Sequence, residues 1–243
     1  MIGIFDSGLG GLGIFKAIKK IIPEEDLYYF GDTANVPFGE KNNEELKDII
    51  LNGIKHLEEK GCNIIVLACN TASVLDINYF RKLSKVPIIA VVPVVKTAAG
   101  CTRNKKIALL ATKATAKSHY TDYLIETFAP DCQVKKIPCP KLVTAIENDN
   151  ISDKLIKTCL KKINKEDVII LGCTHYTLIK GQIQRIVGGK IQVIDSNEAV
   201  ARQVLRVCTK EKLITFQKEP KYTFDSSGDK KQFNKLVKKY LED

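Results

Sequence analysis

Short apolar runs rich in β-branched residues recur along the whole chain, and amphipathic helical patterns separate most of them. The runs lie at residues 2–5, 27–30, 64–68, 88–92, 107–111, 134–137, 168–171 and 191–194. Strands that alternate with helices predict an α/β fold, in which helices cover both faces of a parallel sheet. Runs without any polar residue, such as IIVLA at 64–68 and VIILG at 168–172, are typical of central strands that are buried on both faces.

Two pairs of segments look like copies of one another. Residues 63–72, NIIVLACNTA, match residues 167–176, DVIILGCTHY, and IGIFDS at 2–7 matches IALLAT at 107–112. Self-similarity at a nearly constant spacing indicates an internal duplication. The sequence therefore predicts two similar, doubly wound parallel-sheet lobes with the active site in the cleft between them. Residues 1–95 and 204–243 form the first predicted lobe, and residues 96–203 form the second.

Four chemically useful side chains lie at the carboxyl ends of predicted strands, namely Asp6, Cys69, Thr112 and Cys173. In open parallel sheets, ligands bind beyond the carboxyl ends of the strands. If the lobes face each other, the thiols of Cys69 and Cys173 flank one small molecule. Two opposed acid/base groups suit a reaction that removes a proton from one face of a carbon atom and returns a proton to the other face.

The alternative interpretation of any cysteine is a small buried hydrophobe, and we predict this role for Cys62, Cys101, Cys132, Cys159 and Cys208. Cys69 and Cys173 differ because a helix should begin directly after each of them. Helix starts there would make polar side chains and backbone N–H groups available to a carboxylate.

Composition limits the remaining classes of function. The longest apolar run, at 86–95, is interrupted by Pro87 and Pro93, so we expect a cytoplasmic protein without a membrane span. The net charge is +10, but the lysines are scattered pairs without interleaved aromatic residues, which favours solvated helix faces over a nucleic-acid site. With three histidines and no zinc-type ligand spacing, we expect no metal ion, and we expect reduced thiols.

Residues 8–13 spell G-x-G-x-x-G, a pattern that occurs in dinucleotide-binding turns. In such turns the first glycine directly follows the strand, whereas here Asp6 and Ser7 stand between the strand and Gly8. A carboxylate at that place would repel a pyrophosphate. We therefore interpret the glycines as a tight turn that lets the backbone approach a ligand closely.

Four motifs, GIFDSGLGGL at 3–12, YFGDTANVPFGEK at 29–41, LACNTAS at 67–73 and LGCTHYTLI at 171–179, closely resemble the glutamate racemases. This resemblance implies cofactor-independent interconversion of L- and D-glutamate, which supplies D-glutamate for peptidoglycan. It implies that Cys69 deprotonates the D-isomer and Cys173 the L-isomer, and that Asp6, His175 and Glu147 assist them.

The resemblance also implies the substrate contacts. These are Asp6, Ser7, Phe38, Gly39, Asn70, Thr71, Thr112, Thr115, Thr174 and His175. Phe38 stands where the family usually has tyrosine, which removes a hydroxyl group. Because no arginine occurs in these motifs, we expect neutral donors and helix ends to bind the substrate carboxylates. A homodimer is implied as well, and some family members bind DNA gyrase.

Two other functions stay open at this point. One is an aspartate or other amino-acid racemase of the same superfamily, although aspartate racemases typically carry an acidic residue where this chain has His175. The other is a protein that binds an amino acid or anion without turnover, against which the presence of Asp6 and of both cysteines argues.

Overall fold

Two parallel β-sheets form the framework of the computed structural model, which describes residues 1–215 and 217–242. The strands are β1 (Ile2–Asp6), β2 (Leu27–Gly31), β3 (Ile64–Leu67), β4 (Ile88–Ala90), β5 (Lys106–Ala111), β6 (Gln133–Pro138), β7 (Val168–Gly172), β8 (Gln192–Ile194) and β9 (Tyr222–Ser226). The helices are α1 (Leu12–Ile21), α2 (Asn43–Glu59), α3 (Asn70–Leu83), α4 (Val95–Cys101), α5 (Lys113–Lys117), α6 (His119–Phe128), α7 (Pro140–Glu147), α8 (Asp153–Leu160), α9 (Thr174–Thr177), α10 (Lys180–Val187), α11 (Asn197–Lys210) and α12 (Lys230–Glu242). A short 3-10 helix covers Phe38–Glu40.

The strand order shows the duplication that the sequence predicts. The first sheet has the order β4-β3-β1-β2-β9, and the second has the order β6-β5-β7-β8. Read from the other edge, the second sheet is β8-β7-β5-β6, which repeats β4-β3-β1-β2 position by position. The α/β prediction with two parallel sheets is therefore confirmed, and equivalent strands end at equivalent places.

The central strands are buried because their residues are apolar on both faces. Every residue of β1, β3 and β7 is buried, which agrees with the predicted central positions of residues 64–68 and 168–171. The largest apolar cluster contains Ile4 and Val66 from the first sheet and Leu110 and Ile169 from the second. Because this core is continuous, it fixes the two sheets relative to each other.

The carboxy-terminal segment returns to the first sheet, as the sequence predicts. Strand β9 pairs in parallel with β2 at the edge of the sheet. The sequence did not predict this strand, because most of its residues are only half-buried and it contains no fully apolar run. Helix α12 packs on β9 and α1. The lobe boundary at 203/204 falls within α11 and stays a prediction.

Two of the five cysteines that the sequence predicts as buried are buried, namely Cys62 and Cys208. The prediction is wrong for Cys101, Cys132 and Cys159, which are half-buried. Cys101 ends α4 and Cys132 precedes β6, so both lie at the periphery, where packing covers one side only. Among the described residues, no helix combines the length and apolar character needed to span a bilayer.

Candidate active site

One pocket lies where the central strands of the two sheets end. Residues that closely follow β1, β3, β5 and β7 line this pocket. Its empty volume is about 420 Å³, part of which is open to solvent. The lining residues are Ser7, Pro37, Phe38, Gly39, Glu40, Cys69, Asn70, Thr71, Thr112, Lys113, Pro140, Val143, Cys173 and His175. Both candidate thiols thus face the same space.

Cys69 caps the amino terminus of α3, where the backbone turns from strand to helix. The thiol is 5% exposed and donates a hydrogen bond to Ser7 Oγ at 3.7 Å. Burial, together with the nearby carboxylate of Asp6, raises the pKa of Cys69 to about 12. The Cys69 sulfur therefore keeps its proton near neutral pH.

Cys173 caps the amino terminus of α9 in the same way, but its neighbours differ. Its Sγ lies 4.0 Å from His175 Nδ1, and His175 Nε2 lies 2.5 Å from Glu147 Oε1. Burial lowers the pKa of His175, but the hydrogen bonds to Cys173 and Glu147 and the carboxylate charge outweigh burial, so the pKa lies well above its usual value. The Cys173 sulfur therefore lies beside an imidazole ring that carries a positive charge to higher pH than usual.

Asp6 ends β1 beneath the pocket rather than in its lining. Its Oδ1 accepts the Gly8 N–H at 2.9 Å, and its Oδ2 accepts the Thr174 hydroxyl at 3.0 Å. Complete burial raises the pKa of Asp6, although the charge of His175 acts in the opposite direction. Asp6 is therefore placed to act on both thiols through their electrostatic environment and through Thr174, and the predicted direct contact with substrate is not supported by its position.

The glycine-rich turn approaches the protein itself, which corrects the sequence interpretation. A Cβ atom on Gly8 would lie 2.0 Å from Glu147 Oε1, and one on Gly10 would lie 2.6 Å from the His175 backbone nitrogen. A side chain on Gly8 would displace the Glu147 carboxylate, and one on Gly10 would displace the backbone at the start of α9. The turn thus brings the first sheet against α7 and α9 of the second.

Neutral hydrogen-bonding groups line the pocket between the two thiols. The hydroxyls of Thr71 and Thr112 meet at 3.0 Å, and Thr112 accepts the backbone N–H of Thr115 at 3.2 Å. The Asn70 side chain is 2% exposed, and its amide makes no hydrogen bond within the described part of the chain. Because a buried amide without a partner is costly, Asn70 is available to a polar ligand.

Four predicted site residues lie behind the lining, namely Asp6, Thr115, Glu147 and Thr174. Five lining residues were not anticipated from the sequence: Pro37, Glu40, Lys113, Pro140 and Val143. Lys113 could have been predicted from the sequence, because it lies between the predicted site residues Thr112 and Thr115. The lining residues of α7, Pro140 and Val143, could not, because no sequence pattern connects them with the site. Lys113 adds a cation to a pocket in which only neutral donors and helix ends were expected.

The described residues contain no group of three or more His, Cys, Asp or Glu side chains that could hold a metal ion. Besides the Lys113 ammonium and the Glu40 carboxylate, the polar groups at this pocket are thiols, hydroxyls, amides and one imidazole, which can exchange protons or bind carboxylates.

Comparison with known proteins agrees with this geometry. A sequence model of the Asp/Glu/hydantoin racemase family matches residues 13–204. The glutamate racemase of Corynebacterium glutamicum is 35% identical over 250 residues, which cover 99% of this chain and 91% of that protein.

Solved structures are similar over almost the whole chain. The structure of Escherichia coli glutamate racemase in complex with L-glutamate and the activator UDP-MurNAc-Ala has a TM-score of 0.88 at 26% identity and covers 98% of this chain and 94% of that one. The structure of the Francisella tularensis enzyme in complex with D-glutamate has a TM-score of 0.85 at 29% identity and covers 100% and 93%.

Proposed function

Since this chain belongs to the Asp/Glu/hydantoin racemase family, we propose that it interconverts L- and D-glutamate by proton transfer to and from two cysteine thiols. The observation that carries this proposal is the pair Cys69 and Cys173, two buried thiols at equivalent helix starts that line one pocket. D-glutamate made here supplies peptidoglycan synthesis.

The two half-sites suit the two proton transfers. From L-glutamate, the Cys173 thiolate takes the α-proton, an S–H bond forms, and the electron pair of the C–H bond stays on the substrate as a carbanion. The Cys69 thiol then gives its proton to the opposite face of the carbon, which yields D-glutamate. The forward reaction leaves Cys173 as the thiol and Cys69 as the thiolate, which is the state in which the reverse reaction begins. A second forward turnover therefore requires proton exchange with solvent to restore the starting state.

A thiolate is a weak base for an α-proton, so the pocket must also stabilise the developing negative charge. Ser7, Asn70, Thr71 and Thr112 present neutral donors to this space, and helix α3 begins there. The partnerless amide of Asn70 is the strongest candidate for binding the α-carboxylate. Hydrogen bonds to that carboxylate shorten and strengthen as charge moves onto it.

Asp6 and Glu147 act through other residues. Glu147 accepts a hydrogen bond from the His175 ring and keeps this ring charged beside Cys173. Asp6 raises the energy of a Cys69 thiolate and thereby keeps the Cys69 proton available for donation.

The direct test is to incubate the purified protein with L-glutamate in D2O, with no metal or cofactor added. We expect optical activity to disappear while deuterium enters Cα, which is the signature of proton abstraction and return. The same measurement with aspartate decides the substrate. A folded sample that exchanges neither amino acid would exclude racemisation and leave a binding function.

The family resemblance also predicts a homodimer and, as in some members, binding to gyrase. Sedimentation equilibrium measures the first, and a pulldown with purified gyrase measures the second. Neither property enters the chemistry proposed above.

A further inference from the structure

The glycine-rich turn is held from two sides through a single peptide unit. Tyr29 Oη donates a hydrogen bond to the carbonyl oxygen of Gly8 at 2.7 Å. The N–H of Leu9, which belongs to the same peptide unit, donates to Glu147 Oε1 at 2.7 Å. Because a peptide unit is planar, the direction of its C=O bond fixes the direction of its N–H bond. The Tyr29 hydroxyl therefore orients the Leu9 N–H group, whose hydrogen bond Glu147 accepts.

Tyr29 is itself firmly held. It lies in β2 and has no solvent exposure. Its ring stacks on Phe233 of α12 at 6.1 Å between centroids and meets the edge of Phe15 of α1 at 6.5 Å. A Cβ atom on Gly11 would lie 3.0 Å from Tyr29 Oη, so the hydroxyl lies beneath both ends of the turn. This packing makes the hydroxyl a fixed reference point.

The contacts continue from Glu147 to the reacting sulfur. Glu147 Oε1, the atom that accepts the Leu9 N–H, also lies 2.5 Å from His175 Nε2, and His175 Nδ1 faces Cys173. We propose that Tyr29 is a positioning residue for the Cys173 half of the reaction, acting through the Gly8–Leu9 peptide, Glu147 and His175. This inference rests on the proposed racemase function and adds a residue to it.

Replacement of Tyr29 by phenylalanine keeps the ring and removes only the hydroxyl. The buried Gly8 carbonyl then loses its donor, and the peptide plane is free to rotate away from Glu147. We expect kcat/KM to fall about tenfold, the loss typical of one hydrogen bond that positions a catalytic group. The two enantiomers have equal free energies, so this fall must be the same in both directions.

Isotope effects separate the two halves of the reaction. If the Cys173 step becomes slower in Tyr29→Phe, the deuterium isotope effect on kcat/KM should increase for α-deuterated L-glutamate, whose deuterium Cys173 removes. For α-deuterated D-glutamate the effect should decrease, because removal of its deuterium by Cys69 then limits the rate less. A general loss of structure would not move the two isotope effects in opposite directions.

Two further variants serve as controls. Tyr28→Phe removes a hydroxyl from the same strand, where it donates to Asp225 rather than to the turn, and should leave both isotope effects as in the wild type. Phe233→Leu loosens the ring stack but keeps the Tyr29 hydroxyl. If Phe233→Leu shows the opposed shifts while Tyr29→Phe does not, the ring packing rather than the hydroxyl positions the turn, and the inference is wrong.

A double-mutant cycle measures whether Tyr29 acts through Glu147. In the Glu147→Gln background, Tyr29→Phe should cost clearly less than tenfold, because the contact through which it acts is already weakened. An undiminished cost, or isotope effects in Tyr29→Phe equal to those of the wild type, would overturn the positioning role. Absence of wild-type exchange in D2O would instead overturn the proposed function, so the two failures are distinguishable.

Discussion

Cys69 and Cys173 occupy the same backbone position in two sheets of the same strand order, yet different ionisable groups surround their sulfur atoms. Burial and, after it, the nearby carboxylate of Asp6 raise the pKa of Cys69 to about 12. Cys173 meets the charged ring of His175. The repeated fold supplies two matched positions, and the residues that differ between the copies place different ionisable groups beside the two sulfur atoms.

The differing residues can be identified from the duplicated segments. In the alignment of the copies, His175 stands where the first sheet has Thr71, and Asp6 stands where the second has Ala111. Thr71 contacts a neutral hydroxyl, whereas His175 contacts a carboxylate. Asp6 and His175 therefore put different ionisable groups into the two copies, a carboxylate close to Cys69 and an imidazole ring beside Cys173.

Removal of either thiol should have the largest effect. Cys69→Ala or Cys173→Ala takes away one of the two proton carriers, and we expect racemisation to fall by about 10³-fold or more. Optical rotation of L- and D-glutamate measures this loss. Cys62→Ala is the matched control, because Cys62 is equally buried just before β3 but does not line the pocket, and it should retain activity. Full activity in either active-site variant would remove the two-base mechanism.

The contact between the glycine-rich turn and the second half-site can be broken by a single methyl group. In Gly10→Ala, the new Cβ would lie 2.6 Å from the His175 backbone nitrogen, so the start of α9 must shift together with Cys173. We expect kcat/KM to fall about 10²-fold, a size typical of a displaced catalytic group. The loss should be seen in a protein whose circular dichroism spectrum is unchanged.

Gly181→Ala is the control for this change. No described atom lies within 4 Å of a Cβ built on Gly181 in α10, so activity should persist and helix stability should rise slightly. Wild-type kinetics in Gly10→Ala would mean that the turn and α9 are not coupled as their contact indicates.

The charge on His175 can be reduced without removing the ring. Glu147 raises the pKa of His175, so the imidazolium persists above the usual value near 6.5 and is lost as the pH rises through the higher pKa. Glu147→Gln lowers that pKa, and the alkaline limb of the kcat/KM profile should move to lower pH, with a loss of about tenfold at the optimum.

Glu40→Gln distinguishes this contact from a general change in charge. Glu40 also lines the pocket, so its replacement changes the net charge by the same amount without touching the Glu147–His175 hydrogen bond. An equal shift of the alkaline limb in both variants would assign the effect to overall charge rather than to the His175 pair.

Much of this arrangement can be predicted from the sequence, because strand ends follow from local apolar pattern and parallel topology. The runs before Cys69 and Cys173 predicted two central strands, and both helices begin directly after these cysteines. What could not be predicted depends on packing between distant segments. The Leu9–Glu147 hydrogen bond joins residues that are far apart in the chain, so no local sequence pattern predicts it. Strand β9 was missed for a related reason, since its half-buried residues lack an apolar run.

The smallest expected effect concerns a second asymmetry between the half-sites. Lys113 lines the pocket directly after Thr112, at the position that corresponds to Gly8 in the first copy. An exposed cation beside the pocket attracts an amino acid of net negative charge, such as glutamate, through a field that salt screens. Lys113→Ala should therefore raise KM about two- to threefold at low ionic strength with kcat unchanged, and the difference should shrink in 0.5 M salt, where the screening length is only about 4 Å.

Lys117→Ala removes an equal charge from the same helix outside the pocket lining and should change KM less. If both variants raise KM equally, the effect belongs to the net charge of the protein, and the half-sites differ only in the groups that surround their sulfur atoms.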